Sequence, residues 1–210
     1  MINEIFHSIQ GESTRAGLPC VFVRLTGCHL RCGYCDTEYA FYEGKRMTLD
    51  TIIERVDATG CGLVEITGGE PLLQPAVNPL MTRLCDAGYT VLLETSGACD
   101  ISNVDPRVIR IMDLKTPSSG EQSRNCLDNI SHLRPGDEVK FVIGTWEDYA
   151  WTRDMIERFD LAERCTVLVS PVHDTLDAQR LAEWVLADGL PVRFQLQLHK
   201  FIWSPQARGV

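Results

Sequence analysis

The sequence predicts an α/β protein built as an incomplete TIM-type barrel, with about six parallel strands and few helices. Three observations predict it. Short β-rich runs alternate with amphipathic helical stretches, the pattern of right-handed βαβ units. Many of these runs are apolar almost throughout, as strands covered on both faces are. The helical stretches number only five, too few for an eight-fold barrel. An open doubly wound sheet shares the alternation, and the pattern alone does not separate the two. In either architecture ligands gather at the C-terminal ends of the strands.

In chain order, an extended segment over 2–9 precedes the first parallel strand, 21–25. Helix 49–58 follows, with Thr48 as its N-cap. Strand 63–67 leads to helix 76–87, with Gly88 just beyond its end. Strands 90–95 and 108–114 come next, then a shorter helix over 122–133. Strand 139–143, helix 146–158 and strand 166–169 continue the alternation. Helix 176–187, between Thr175 as N-cap and Gly189, leads to a last strand over 192–198. No repeat, low-complexity tract or Gly/Pro/Ser-rich linker divides the chain, so residues 1–210 are expected to form a single domain.

Composition narrows the function. A net charge of -9 argues against a direct nucleic-acid footprint, which needs a basic face. A small anionic substrate remains open, since one or two placed cations bind it. No apolar run reaches the ~20 residues of a membrane span, and Met1-Ile2-Asn3-Glu4 is not a secretory start. A cytoplasmic protein is expected. Nine cysteines, an odd number, make a poor disulfide framework. Cys20, Cys61, Cys85, Cys99, Cys126 and Cys165 are scattered singly and read as reduced thiols. Cys28, Cys32 and Cys35 are different, because they fall within eight residues directly after a strand.

Their spacing is C-x3-C-x2-C. Three thiolates hold three irons of a cubane and leave the fourth iron for an exogenous ligand, whereas Fe–S clusters usually take four cysteines. Zinc, completed by a distant His or Cys, is the rival ligand, and plain thiols on a loop are the bland alternative. Ile66-Thr67-Gly68-Gly69-Glu70-Pro71 ends the second parallel strand. Its glycines let backbone approach a ligand closely, although a tight strand-to-helix turn also uses them. Arg24 lies inside an apolar strand and needs an anion, either a substrate carboxylate or an internal Asp or Glu.

The cysteine loop with Tyr34 before its last cysteine resembles the signature of the radical S-adenosylmethionine (SAM) superfamily. Further segments narrow the resemblance. They are Phe6-His7-Ser8-Ile9-Gln10-Gly11-Glu12, Arg24, Asp36-Thr37, Glu94-Thr95-Ser96-Gly97 and His199-Lys200-Phe201-Ile202-Trp203-Ser204-Pro205. Together they resemble the 7-carboxy-7-deazaguanine synthase family, over residues 2 to about 205.

That resemblance implies one [4Fe-4S] cluster on Cys28, Cys32 and Cys35, with SAM bound on its open iron and cleaved reductively. It implies SAM contacts from Tyr34, Cys35, Asp36, Gly69, Glu70, Asp113, Leu114 and Lys115, and from Ser170, Pro171, Val172 and His173. It implies substrate contacts from Ile9, Gln10, Gly11, Arg24, Thr67, His199 and Pro205. Thr37 would offer a hydroxyl to Mg2+, a hard cation that takes oxygen ligands, the alternative being a cap on the next turn. The implied reaction contracts the ring of 6-carboxy-5,6,7,8-tetrahydropterin to 7-carboxy-7-deazaguanine, releasing ammonia, for queuosine and related 7-deazapurines. A homodimer and a flavodoxin-type reductant are implied partners. Another radical SAM enzyme, such as a glycyl-radical-enzyme activase, would share the cysteine loop, and a non-catalytic metal-binding module is the rival from a different class. Two departures stand out: only the Lys of a common Ser-Pro-Lys remains at 113–115, and Ser170-Pro171 replaces a frequent Gln-Pro. Residues 206–210 extend beyond the resemblance.

Overall fold

One sheet runs through the molecule in chain order. In the computed structural model, which describes all 210 residues, eight strands pair in the sequence β1 to β8 without closing on themselves. The strands are β1 (Ile2–Ile9), β2 (Pro19–Leu25), β3 (Leu63–Gly68), β4 (Thr90–Thr95), β5 (Ile109–Asp113), β6 (Glu138–Ile143), β7 (Thr166–Pro171) and β8 (Arg193–Phe194). Every neighbouring pair from β2 onward is parallel, and β1 runs antiparallel to β2. This is the partial barrel expected, not the doubly wound sheet that shares the alternation, and it has more strands than the expected six. Helices α1 (Leu49–Asp57), α2 (Val77–Asp86), α3 (Trp146–Arg158) and α5 (Ala178–Asp188) fill the β2–β3, β3–β4, β6–β7 and β7–β8 crossovers. A single turn, α4 (Leu161–Arg164), follows α3, and another, α6 (His199–Ile202), follows β8. No helix is long and apolar enough to cross a membrane.

The two faces of the sheet differ sharply. Strand side chains alternate with period two. Val21, Val23 and Leu25, Val64 and Ile66, Val91 and Leu93, and Val139, Phe141 and Ile143 join one apolar core with Ile52 and Val56 of α1 and Leu80, Met81 and Leu84 of α2. Each such side chain, fully buried, contributes roughly 1.5–3 kcal/mol. The alternate positions, Phe22, Arg24, Glu65, Thr67, Glu94, Asp113 and Lys140, face inward and line a cavity. The apolar strand runs therefore carry a polar inner row rather than two apolar faces.

Capping fixes the helix starts. Thr48 accepts from Thr51 N at 3.1 Å, as expected. Thr145 and Asp148 form a reciprocal capping box at the start of α3. At α5 the cap is Asp177, accepting from Arg180 N at 3.0 Å, and not Thr175. Asp outperforms a Thr placed two residues too early, so the helix starts at Ala178.

The extended segment expected over 2–9 is an edge strand, antiparallel to β2 and outside the βαβ pattern. Two further expectations change. The helix expected over 122–133 is two short 3-10 pieces, Gln122–Arg124 and Leu127–His132. Asn125 bridges Lys115 N and O at 2.9 Å each, and Asn129 bonds Ile101 N, Gly97 O and Cys99 O. Those tertiary bonds hold the segment out of a continuous helix. The strand expected over 192–198 shrinks to Arg193–Phe194. After Gln195 the chain leaves the sheet: Leu198 N donates to Gly11 O at 2.9 Å and Gln197 Nε2 to Glu12 Oε1 at 3.0 Å. These bonds bridge the gap between the two sheet edges.

Candidate active site

The cysteine loop leaves the C-terminal end of β2 and is fastened at several points. Leu30 is buried beneath it. Gly33 N donates to Ser119 O at 3.0 Å, and Arg31 N to Glu121 Oε1 at 2.6 Å. Cys28, Cys32 and Cys35 are free, half-buried thiols on the wall of one cavity of about 740 Å³. No three His, Cys, Asp or Glu side chains converge on a point as a single metal ion requires. Thiolates that ligate different irons of a cluster need no such convergence, and three cysteines on one wall are the donor set of a cubane with one open iron. Burial raises the Cys28 thiol, and it raises Cys32 to about 11, against the pull of Lys115. Without a metal these groups are thiols at neutral pH.

The end of β3 docks on this loop through its glycines. Gly68 has φ +147, and a Cβ there would fall 2.3 Å from Leu25 O. A Cβ on Gly69 would fall 2.2 Å from Gly27 O and 2.8 Å from Cys28 Cβ. Only glycine lets the two segments approach this closely. Glu70 N then donates to Gly27 O at 2.8 Å. The Glu70 carboxylate is fully buried, accepting from Leu72 N, Thr95 Oγ1 and Ser96 N, the last at 2.7 Å.

The opposite wall comes from the N-terminal loop, the inner strand row and the C-terminal segment. Gln10 Nε2 donates to Glu65 Oε2. Lys140 Nζ donates to Glu12 Oε2 at 3.0 Å and to Glu94 Oε1, with Asp113 Oδ2 at 3.9 Å. Burial alone would lower the Lys140 ammonium; Glu12, Glu94 and Asp113 reverse this and hold it well above its usual value. Burial likewise opposes ionisation of Glu94, but Lys140 outweighs it and holds the carboxyl down at about 2. Arg24 Nε bonds Glu4 Oε1 at 2.8 Å, so the internal salt bridge exists, while its terminal nitrogens have no protein partner. The guanidinium carbon lies 5.8 Å from the Phe6 ring centroid and 5.9 Å from that of Tyr39. His199 reaches the cavity because residue 11 is glycine: a Cβ there would fall 2.2 Å from its Nδ1. Asp36 pairs with Lys200 at 2.9 Å, tying the cysteine loop to α6. Thr37 lines the same cavity and its hydroxyl caps no helix.

Residues 22–113 match the radical SAM superfamily. A 7-carboxy-7-deazaguanine synthase from Chlorobaculum tepidum is 50% identical over 212 residues, covering 100% of this chain and 96% of the relative. A second, from Koribacter versatilis, is 47% identical over 225 residues, covering 100% and 99%. The chain belongs to the 7-carboxy-7-deazaguanine synthase family. In fold it is similar to the crystal structure of QueE from Escherichia coli, with a TM-score of 0.71 and 22% identity over 94% of this chain and 93% of that one. Membership of this radical SAM family implies a [4Fe-4S] cluster and SAM.

For a deazaguanine synthase fold, the residues singled out in the sequence converge well. Ile9, Gln10, Gly11, Arg24, the three cysteines, Tyr34, Asp36, Thr37, Thr67, Gly69, Asp113, Lys115, Val172, His173, His199 and Pro205 all line the one cavity. Leu114 instead belongs to the apolar core, and Glu70, Ser170 and Pro171 lie off the cavity wall. Asp113 Oδ1, on the cavity wall, is buried without a hydrogen-bonding partner and suits a bound ligand. Glu12, Glu65, Glu94, Lys140 and Lys200 also line the cavity and were not singled out as site residues. The signal for three of them was charge at inward positions of otherwise apolar strands, as at Arg24.

Proposed function

We infer that this chain catalyses the radical SAM-dependent ring contraction of 6-carboxy-5,6,7,8-tetrahydropterin to 7-carboxy-7-deazaguanine, with release of ammonia. It is then a carbon–nitrogen lyase of 7-deazapurine biosynthesis, the pathway of queuosine. The observation that carries this reading is full-length identity of 50% to a synthase of that name, on a chain whose motif residues meet in one cavity.

Cys28, Cys32 and Cys35 would hold the cluster, and Gly69, Asp113 and Lys115 line the adjoining wall for SAM. Bound there, these groups supply one-electron cleavage and hydrogen abstraction, chemistry that belongs to the cofactor. The chain's own task is to bind, orient and exclude water. The free terminal nitrogens of Arg24 suit the substrate carboxylate. Glu94, held ionised by Lys140, accepts ring N–H groups, and Thr67 Oγ1 steadies it from 3.4 Å. Gln10 and the His199 ring line the wall that would take the pterin. Thr37 is the Mg2+ ligand in this reading, supported by a hydroxyl free of capping beside the cluster loop. Pro205 and the following residues line the cavity rim, with the Arg208 guanidinium 3.9 Å from the Tyr39 ring centroid. This reading further takes residues 1–210 as one radical SAM domain, acting as a homodimer with a flavodoxin-type reductant.

Anaerobically reconstituted protein, given SAM, dithionite, Mg2+ and the carboxylated pterin, is expected to form 7-carboxy-7-deazaguanine without net consumption of SAM. Thr37→Ala should turn over without Mg2+ stimulation. Absence of the product from the parent protein overturns the reading, and undiminished stimulation in the variant removes Thr37 as a ligand.

A further inference from the structure

The mechanism above leaves a buried carboxyl on the cavity wall unused. Glu65 sits in the middle of β3, 2% exposed, and lines the cavity beneath Thr67. Its neighbours come from four other parts of the chain. Gln10 Nε2 donates to its Oε2, and the Gln10 amide cannot be reversed, because Gln10 Oε1 accepts Glu12 N at 3.1 Å. On the other side Glu65 faces the Glu94 carboxyl, which comes from the neighbouring strand onto the same cavity wall. Two carboxyls brought together in this way do not readily ionise at once, and one keeps a proton. Lys140 decides which one, because its ammonium bonds Glu94, Glu12 and no oxygen of Glu65. Arg24 of β2 also favours ionised Glu94, and the Cys20 thiol is the remaining titratable group of β2 near Glu65. Lys140 already neutralises against Glu12, Glu94 and Asp113, so a further buried charge at Glu65 would have no counter-ion.

We propose that Glu65 is a neutral carboxylic acid and a positioning residue: its O–H fixes the Glu94 carboxylate and its other oxygen fixes the Gln10 amide, setting both for the substrate. This deepens the reading of the cavity as a pterin site and rests on it. Burial, the charge of Glu94 and the bond to it all push the Glu65 carboxyl well above its usual range.

Glu65→Gln keeps an acceptor for Gln10 and a donor for Glu94, whereas Glu65→Leu removes both. In anaerobic steady-state assays on the reconstituted enzyme, the Leu variant should raise KM for the pterin about tenfold or more, with KM for SAM unchanged. The Gln variant should restore it to within about threefold of the parent. A purely structural role would not confine the loss to the pterin. Infrared difference spectra at neutral pH supply the second readout: the parent should show the carbonyl stretch of a protonated buried acid, and Glu65→Gln should lack it. Absence of that band, or a Gln variant as impaired as the Leu variant, overturns the proposal. If the pterin is not the substrate, the parent shows no turnover with it, and the infrared band still decides the state of Glu65.

Discussion

Single residues in this cavity act through the partners that surround them. Glu65 and Glu94 are chemically identical and lie on neighbouring strands, yet their carboxyls move in opposite directions. Burial opposes charge in both. At Glu94 the Lys140 ammonium outweighs it, and at Glu65 the charge of Glu94 adds to it. The consequence for stability follows by linkage. Glu94 contributes stability that is present above its ordinary 4.5 and fades as pH falls toward about 2. Glu65, with its value raised, contributes stability below 4.5 that fades as pH rises toward its folded-state value. Glu65→Gln removes that second slope. Urea denaturation of apo protein at several pH values is therefore expected to show the variant gaining on the parent as pH climbs from 4.5 toward neutrality. A difference that stays constant over that span would mean that Glu65 ionises normally.

At the scale of elements, the sequence was most legible where function is packed into a few consecutive residues. The cysteine spacing and the Thr67-Gly68-Gly69 turn are local, and both fall at parallel-strand ends as expected. It was least legible where tertiary partners decide. Gln122 to Leu133 has helical spacing, but Asn125 and Asn129 spend their amides on neighbouring loops. Glu12 and Glu94 stand out in the sequence only as members of motif segments and Lys140 not at all, and only the register of three segments makes them one network. The extended segment 2–9 was legible, but its antiparallel pairing with β2 was not, because that is set by a partner strand. The β3 turn gives a direct test of element packing. Gly69→Ala places a Cβ against Gly27 O and Cys28 Cβ, and the backbone has to move. The variant should keep its far-ultraviolet circular dichroism but bind less iron per chain after reconstitution. Full iron loading would show that the cysteine loop tolerates the displacement.

Across the whole molecule, the interior charges are held as pairs. Arg24, Lys115, Lys140, Lys200 and Arg208 line the cavity together with Glu12, Asp36, Glu65, Glu94, Asp113 and Asp174. Lys115, Lys140 and Lys200 are paired with carboxyls of that wall, whereas the terminal nitrogens of Arg24 stay open to a ligand. The net charge of -9 disfavours nucleic acid. The partial barrel makes such a polar interior feasible. Its outer face carries the apolar core, its inner face is free to be polar, and the gap between β1 and β8 is bridged by Gly11, Glu12, Gln197 and Leu198 instead of a further strand. The same inner face brings the cysteine loop and the substrate wall into one cavity. The proposed reaction depends on a cluster with one iron left open to SAM. Electron paramagnetic resonance of the reduced, reconstituted protein, recorded before and after addition of SAM, tests it most directly. The account predicts a [4Fe-4S] signal that shifts when SAM is added and that is lost in Cys32→Ala. A signal indifferent to SAM, or a protein that takes up zinc and no iron under the same conditions, would contradict it.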